Sequence, residues 1–152
     1  MMLDGAEGRG MAMTLGFTGS RKGMTLAQAD GVAKFLKEYQ PLAVHHGDCL
    51  GSDEEFHDMV RELLPITQII IHPPISNRLR AFCKGDVVME PKPYLERDMD
   101  IVQSAQWVIA TPANMIAGTG GTWYTIRYAD REKVNHTIFY PNGTIGIMEF
   151  EE

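Results

Sequence analysis

The chain has 152 residues, of which 44% are apolar, and this is enough to bury the core of a single domain. A formal net charge of −6 and a pI near 5.3 argue against a surface that neutralises a nucleic-acid backbone, so a nucleic-acid partner is not expected. Two cysteines, Cys49 and Cys83, are too few for a disulfide framework. The sequence also has no long apolar run and no signal peptide, and together these features predict a cytoplasmic protein without a membrane partner.

The first predicted strand and helix follow a segment without periodicity. Residues 1–12 are rich in glycine and small residues, and we expect a flexible arm there, before a single domain over residues 13–152. A short strand, about Thr14 to Phe17, ends in a glycine loop. The helix after that loop is predicted to begin at the N-cap Thr25 and to stop at Pro41.

The next two strands enclose a second predicted helix. After the apolar run Leu42 to His46, Ser52 fits an N-cap and Glu55 its capping-box partner. The run Gln68 to His72 is continuous and β-branched, which is typical of strands buried on both faces of a parallel sheet. Residues 73–93 hold four prolines and no clear period, and they predict a long loop of the kind that is usually functional or mobile.

The remaining third of the chain continues the alternation. A helix is predicted over Tyr94 to Ser104, a strand over Trp107 to Thr111, a helix over Thr122 to about Asp130 and a strand over Thr137 to Tyr140. A turn then leads to an edge strand within Thr144 to Phe150. This order predicts an α/β fold with a Rossmann-like, doubly wound, mainly parallel sheet of five to six strands flanked by helices, the last strand being antiparallel.

Three glycine loops each follow a predicted strand and precede a helix. In open α/β sheets ligands bind outside the carboxyl ends of the strands, so these loops are expected to share one crevice. Glycines let the backbone approach an anion, and the first turn of a helix leaves N–H groups unpaired. The predicted ligand-binding residues are Gly19, Ser20 and Arg21 of the first loop, Gly47, Asp48 and Gly51 of the second, Gly118, Thr119, Gly120, Gly121 and Thr122 of the third, Thr111 at a strand end, and Arg78 in the long loop.

The loop motifs and the spacing of possible metal ligands disfavour several kinds of site. None of the loops is a Walker A motif or an intact GxGxxG, which disfavours ATP hydrolysis and dinucleotide redox chemistry, and no cofactor is predicted. Arg21 and Lys22 stand directly after the first strand, where a phosphate role competes with that of ordinary surface charges. The ligand-type residues near the second strand, His45, His46, Cys49 and His57, fit no zinc spacing, so no metal site is predicted.

Four segments, taken in order, resemble the SLOG superfamily of Rossmann-like proteins. They are Gly19-Ser-Arg21, the loop Gly47 to Gly51, Tyr94-Leu-Glu-Arg97-Asp-Met99 and the loop Gly118 to Thr122. The superfamily includes the lysine-decarboxylase-like phosphoribohydrolases called LOG enzymes, DNA-processing protein A and sensor domains of bacterial defence systems. The resemblance implies a phosphate or ribose-phosphate on the amides of the third loop, a base toward the first strand, and a homodimer or higher homo-oligomer.

The chain departs from the LOG motifs, which read approximately MHxRKxxM and PGGxGTxxE. Arg97 matches the arginine that the family uses in cleaving the N-glycosidic bond of a nucleoside monophosphate. Asp98 stands where the lysine is expected, Thr125 stands where the glutamate is expected, and no PGG triplet is present. Threonine cannot act as a carboxylate at neutral pH, so this position does not supply the carboxylate that the family's hydrolysis uses.

Three classes of function follow. The first is a domain that binds a nucleotide or a nucleotide-derived small molecule, as a ligand sensor or a divergent enzyme. The second is an N-glycosidase that cleaves the base–ribose bond, with Arg97 orienting the phosphate and Glu96, Asp98 or Asp53 supplying the missing carboxylate. The third, binding of single-stranded DNA, is disfavoured by the acidic charge and by the lack of a basic groove interleaved with aromatic residues.

Overall fold

A computed structural model describes residues 13–151 of the chain. The predicted flexible arm, residues 1–12, lies outside the described residues, as does residue 152. The elements are β1 (Thr14–Gly19), α1 (Leu26–Tyr39), β2 (Ala43–His46), α2 (Ser52–Leu63), β3 (Gln68–Ile71), β4 (Val87–Val88), α3 (Tyr94–Ser104), β5 (Trp107–Thr111), α4 (Gly121–Arg131), β6 (Asn135–Phe139) and β7 (Ile145–Met148). Within this range no helix is both long and apolar enough to cross a membrane.

The strands form one sheet in the order β4-β3-β2-β1-β5-β6-β7. All neighbouring strands are parallel except β6 and β7, which are antiparallel. The helices α1 and α2 pack on one face of the sheet, and α3 and α4 pack on the other. The predicted α/β, doubly wound fold with an antiparallel last strand is therefore confirmed.

The buried face of α1 fixes the position of the loop that follows β5. Thr25 caps the helix as predicted: its Oγ1 accepts the N–H of Gln28 at 3.1 Å. The amide of Gln28 is itself buried and donates to the carbonyls of Pro112 and Phe139. Because buried polar groups must be paired, this one side chain ties α1 to the start of the 112–120 loop and to the end of β6.

The predicted strand number is wrong by one or more, because the long loop contains β4. Its two residues, Val87 and Val88, pair with β3 through main-chain bonds on either side, Asp86 N to Ile69 O and Met89 N to Ile71 O. Both valines are exposed, so the pairing leaves no pattern of burial that the sequence could reveal. The sheet has seven strands where five to six were predicted.

The predicted capping box of α2 is also wrong. The N-cap is Gly51, and no side chain caps this helix. The hydroxyl of Ser52 instead donates to the carbonyl of Ser20 at 2.6 Å, and the carboxylate of Glu55 accepts the N–H of Met24 at 2.7 Å. Both side chains therefore hold the loop after β1 against the start of α2.

Candidate functional site

The strand order reverses between β1 and β5, and a cleft of about 530 Å³ opens above their carboxyl ends. The loop after β1 forms one side of the cleft, and the 112–120 loop with the start of α4 forms another. The starts of α3 and α2 and the loop after β2 supply the floor. This is where a doubly wound sheet is expected to bind its ligands.

The loop after β1 is held rigidly around Ser20. The N–H of Ser20 donates to Thr111 O on β5, and its carbonyl accepts the N–H groups of Gly23 and Ser52. Arg21 and Lys22 are thereby placed at the cleft with exposed side chains. Among the described residues no carboxylate lies within ion-pair distance of either cation. The Arg21 guanidinium lies 4.8 Å from the centre of the Tyr94 ring, an additional favourable contact.

The start of α4 presents unpaired amides to the same cleft. The first bond of the helix runs from Tyr124 N to Gly120 O, so the helix offers no acceptor to the amides that precede it. The N-cap Gly120 has no side chain to cap them, and the first turn contains no acidic residue. Arg127 holds the loop by donating to the carbonyl of Gly118 at 2.8 Å. The partial positive charge of this helix end is therefore available to an anion.

The glycines of the third loop are not required by packing or by backbone conformation. A Cβ built on Gly120 would meet no atom within 4 Å, and one on Gly121 would meet only Asp98 Oδ2 at 3.8 Å. Neither glycine has a positive φ. Gly19 is different, because a Cβ there would collide with the side chains of Thr111 and Ser52. The fold explains Gly19, whereas it leaves the glycines of the third loop unexplained.

Arg97 lies on the floor of the cleft, where it bonds to protein acceptors. Its Nη1 donates to the carbonyls of Gly47 and His72, at 2.5 and 3.2 Å. Its Nε donates to Asp98 Oδ1 at 2.7 Å, and its Nη2 points to Cys49 Sγ at 3.7 Å. Burial alone would lower the pKa of Arg97, but the neighbouring carboxylates outweigh this and raise it. Arg97 thus ties α3 to the ends of β2 and β3.

Two buried carboxyl groups line the floor beside Arg97. Burial raises the pKa of Asp53 to about 6, against the opposing effects of Arg97 and of the hydrogen bond from Cys49 N. Burial also raises the pKa of Asp98, although its ion pair with Arg97 and a hydrogen bond with Thr125 act in the other direction. Of the three carboxylates considered from the sequence, Asp53 and Asp98 face the cleft, whereas Glu96 is exposed and does not line it.

The predicted ligand-binding residues divide into two sets. The first and third loops contribute lining residues to the cleft, namely Gly19, Ser20, Arg21, Gly118, Thr119, Gly120, Gly121 and Thr122, and Gly47 joins them from the second loop. The remaining predicted residues, Asp48, Gly51, Arg78 and Thr111, do not line the cleft. Arg78 is exposed on the long loop, and Thr111 is buried with a hydroxyl that has no hydrogen-bond partner within residues 13–151.

Asp48 is fully buried beneath the long loop. Its carboxylate accepts Arg80 Nε at 2.8 Å and Cys83 N at 2.9 Å, while its carbonyl accepts Ala81 N. Its own N–H donates to His46 Nδ1. Its polar groups are thus paired within the protein. The residue connects the loop to the end of β2.

Three metal-ligating side chains meet near this anchor. The ligand atoms of His46, His57 and Cys83 lie within 4.8 Å of one another. The cysteine of this cluster is Cys83, whereas Cys49 was the cysteine considered from the sequence. His46 Nδ1 accepts the N–H of Asp48, so the proton of the neutral ring is on Nε2, which donates to His57 Nδ1 at 2.9 Å. Burial lowers the pKa of His46 well below its usual value. These hydrogen bonds leave His46 without a lone pair for a cation.

Two aromatic residues that line the cleft were not among the predicted ligand-binding residues. Tyr94 lies against both Arg21 and Arg97, and Trp123 is 7% exposed with an Nε1 that has no partner among the described residues. Tyr94 stands at the start of one predicted helix and Trp123 one residue inside another, where aromatic residues usually belong to the core. For Trp123, its place directly after the third glycine loop was the only signal in the sequence.

Comparison with known proteins supports the fold. The structure is similar to that of the molybdenum cofactor binding protein from the phototrophic bacterium Rippkaea orientalis, with a TM-score of 0.66 and 13% identity over 86% of this chain and 77% of that one. It is also similar to the X-ray structure of TM1055, a structural genomics target, with a TM-score of 0.56 and 15% identity over 80% and 70% of the two chains. At these identities the likeness establishes the fold alone. No family model and no curated protein matches the chain.

Proposed function

We propose that the cleft binds a phosphate-bearing small molecule, a nucleotide or a nucleotide-derived compound, with its phosphate between Arg21, Lys22 and the first turn of α4. The observation that carries the proposal is the open start of α4, where Gly120 and Gly121 expose amides although the fold does not require glycine at either position. Close approach of a ligand to the backbone explains both residues.

Charge and size support the same ligand. Arg21 and Lys22 have no carboxylate partner among the described residues, so their charges are free for an anion. A cleft of about 530 Å³ lies within the usual range for small-molecule sites. The similar protein from Rippkaea orientalis is described as binding a cofactor, which is also a small molecule. The resemblance to SLOG proteins, read from the sequence, implies the same kind of site.

Calorimetric titration with nucleoside monophosphates and with cyclic nucleotides tests the proposal. The double variant Arg21→Ala/Lys22→Ala is expected to lose at least about tenfold in affinity, because two charge-assisted contacts are removed. The matched control is Lys34→Ala/Lys84→Ala, which removes two exposed cations outside the cleft. Equal effects of the two double variants would show that only net charge matters and would refute the site.

Gly121→Ala separates binding from folding. An alanine at this first position of α4 has room for its Cβ and is at least as compatible with the helix as glycine is. We therefore expect unchanged or higher stability in urea denaturation, together with a clear loss of phosphate affinity. Retained affinity would show that the amides of α4 do not contact the ligand.

A second candidate function is favoured by the two carboxyl groups of the floor. Asp53, whose pKa is raised to about 6, holds a proton close to neutral pH, while Asp98 is paired with Arg97. Such a pair suits cleavage of a base–ribose bond, with one carboxyl as acid and the other as base. Release of free base from nucleoside monophosphates that is abolished in Asp53→Asn but retained in the exposed control Glu96→Gln would establish this activity.

We further propose a cytoplasmic homo-oligomer. Both cysteines are free, which fits a reducing compartment, and the SLOG resemblance implies association of copies. Light scattering during size-exclusion chromatography measures the mass in solution. A monomer at micromolar concentration would refute the oligomer.

A further inference from the structure

The two edges of the sheet differ in how they are protected against pairing with another strand. At one edge β4 has only two residues, and the segment Glu90 to Pro93, with its prolines and charged residues, follows it closely. Short length, prolines and charges are the features that keep an edge strand from pairing. At the other edge β7 contains neither a proline nor a charged residue, and within residues 13–151 its only neighbouring strand is β6. The sheet therefore has one blocked edge and one open edge.

The hairpin between β6 and β7 determines which main-chain groups of β7 point outward. Tyr140 N donates to Thr144 O at 2.9 Å, so these two residues form a hydrogen-bonded pair of the ladder. Hydrogen-bonded and non-hydrogen-bonded pairs alternate along an antiparallel ladder. The pairs that β6 makes with Ile145 and Ile147 are therefore of the non-hydrogen-bonded type. The N–H and C=O groups of these two isoleucines point away from β6, toward the open edge.

The side chains of β7 are apolar and about half exposed on both faces of the sheet. Ile145 and Ile147 are 54% and 46% exposed, and Met148 is 44% exposed on the opposite face. The two isoleucines lie on the face that α1 covers, because Phe139, directly opposite Ile145, packs against Phe35 of that helix. Outward main-chain groups and exposed apolar side chains thus occur together on one short strand.

We propose that β7 pairs with β7 of a second copy of this chain, antiparallel about a two-fold axis beside Gly146, and that a continuous sheet runs through the resulting homodimer. The inference rests on the homo-oligomer proposed above and names its surface. Ile145 then lies opposite Ile147 of the partner subunit, and the two residues exchange main-chain hydrogen bonds in both directions. The axis repeats this pair and brings the isoleucines of both copies together on the α1 face.

Charge is compatible with this arrangement, although the protein is acidic. Glu149 and Glu151 follow β7, and in the antiparallel register Glu149 lies opposite Gly143 of the partner subunit. With a rise of about 3.4 Å per residue, the two copies of Glu149 are about 20 Å apart along the strands. This is more than the screening length of about 8 Å at physiological ionic strength. A parallel arrangement would instead place the two acidic segments side by side.

The blocked edge at β4 limits the assembly to two copies. A sheet with two open edges continues into a filament, whereas a two-fold contact at one edge closes on itself. The strand β6 separates β7 from β5, so the contact leaves the cleft above β1 and β5 open to a ligand. The proposed dimer and the proposed ligand site are therefore compatible and are tested separately.

Light scattering and amide hydrogen exchange on the full chain test the interface. We expect twice the 17.0 kDa mass of one chain at micromolar concentration. The amides of Ile145 and Ile147 should exchange at least about tenfold more slowly in the dimer than at dilutions where the protein is monomeric, because bonded amides exchange only when the structure opens locally.

A matched pair of double variants completes the test. Ile145→Lys/Ile147→Lys places like charges opposite each other across the axis, and we expect a monomer. The control Leu42→Lys/Ile66→Lys makes the same change at two exposed apolar positions outside β7 and should remain a dimer.

The outcomes separate this interface from the homo-oligomer itself. A monomeric unmodified protein would overturn both, and slow exchange of the two amides in such a monomer would show that another segment of the same chain covers β7. A dimer that the β7 double variant leaves intact, or in which the two amides exchange equally fast at every concentration, keeps the homo-oligomer and refutes the pairing of β7. The exchange measurement needs no substitution, so it decides the question even where the double variant does not fold.

Discussion

At the residue scale, Asp48 shows how a ligand-like residue can be entirely structural. It stands after β2 and before α2, where the sequence predicted a ligand contact, and its backbone has a φ of 57°. Yet it is fully buried, paired with Arg80 and bonded to the main chain of Ala81 and Cys83. An aspartate at this position predicts polar contacts. The sequence does not show whether its partners are a ligand in the cleft or residues of the long loop.

Removal of Asp48 should therefore affect stability far more than an exposed charge does. Asp48→Ala leaves Arg80 and the main-chain N–H of Cys83 without their acceptor, and we expect a loss of about 3 kcal/mol or more in the free energy of unfolding. Urea denaturation measures it, with Asp30→Asn, an exposed position on α1, as the control. A loss below about 1 kcal/mol would show that the long loop is held by other contacts.

Two buried titratable residues should give opposite dependences on pH. Burial and the neighbouring His45 lower the pKa of His72 to about 4, so the stability it confers is complete above its unfolded value of 6.5 and is lost as the pH falls toward 4. Burial raises the pKa of Asp53 to about 6, so its contribution is greatest below 3.8 and is lost as the pH rises through 6. Each pKa shift corresponds to a change of about 3 kcal/mol in the free energy of unfolding over its pH range, and the two changes have opposite signs.

Single variants separate these two terms. The free energy of unfolding of the unmodified protein minus that of His72→Asn should increase between pH 4 and pH 6.5. The same difference taken with Asp53→Asn should decrease between pH 4 and pH 6. Denaturation series at several pH values in this range measure both differences. Differences that stay constant with pH would contradict the buried, neutral states of these groups.

At the element scale, α3 and α4 bring together two residues at which the sequence departs from the LOG motifs. Asp98 on α3 and Thr125 on α4 stand where those motifs have a lysine and a glutamate, and Thr125 is close enough to Asp98 to lower its pKa against the effect of burial. Thr125 is fully buried, and its hydroxyl donates to the carbonyl of Gly121 at 2.9 Å. The carboxyl group beside the start of α4 thus comes from α3.

A double-mutant cycle tests this pairing. Thr125→Glu alone places a second carboxylate beside Asp98 in a buried site, and we expect it to cost about 2 kcal/mol or more. Asp98→Lys alone places a cation beside Arg97 and should cost a similar amount. The double variant should be more stable than the sum of the two effects by about 1 kcal/mol or more, as measured by urea denaturation. Additive effects would show that the two positions are not coupled.

The elements themselves were predictable where burial or turn chemistry left a pattern. The order of strands and helices, the Thr25 cap and the antiparallel last strand are confirmed. The capping box at Ser52 was wrong because both side chains bond to the neighbouring loop, a tertiary contact that a local motif does not reveal. The strand β4 was missed because it has only two residues and both valines are exposed.

At the scale of the whole molecule, the cleft combines a cationic side with an acidic floor. The topology brings the ends of β1 and β5 together at the reversal of strand order, which the sequence predicted through its alternation of elements. It could not predict that Arg97 points to the protein, because its main-chain acceptors, Gly47 and His72, lie far from it in the sequence.

The most direct test is the electron density of a crystal grown with a nucleoside 5′-monophosphate. We expect the phosphorus between the guanidinium of Arg21, the ammonium of Lys22 and the amides of Gly121 to Trp123 at the start of α4. A phosphate bound to Arg97 on the floor of the cleft, or a ligand bound only outside the cleft, would contradict this placement.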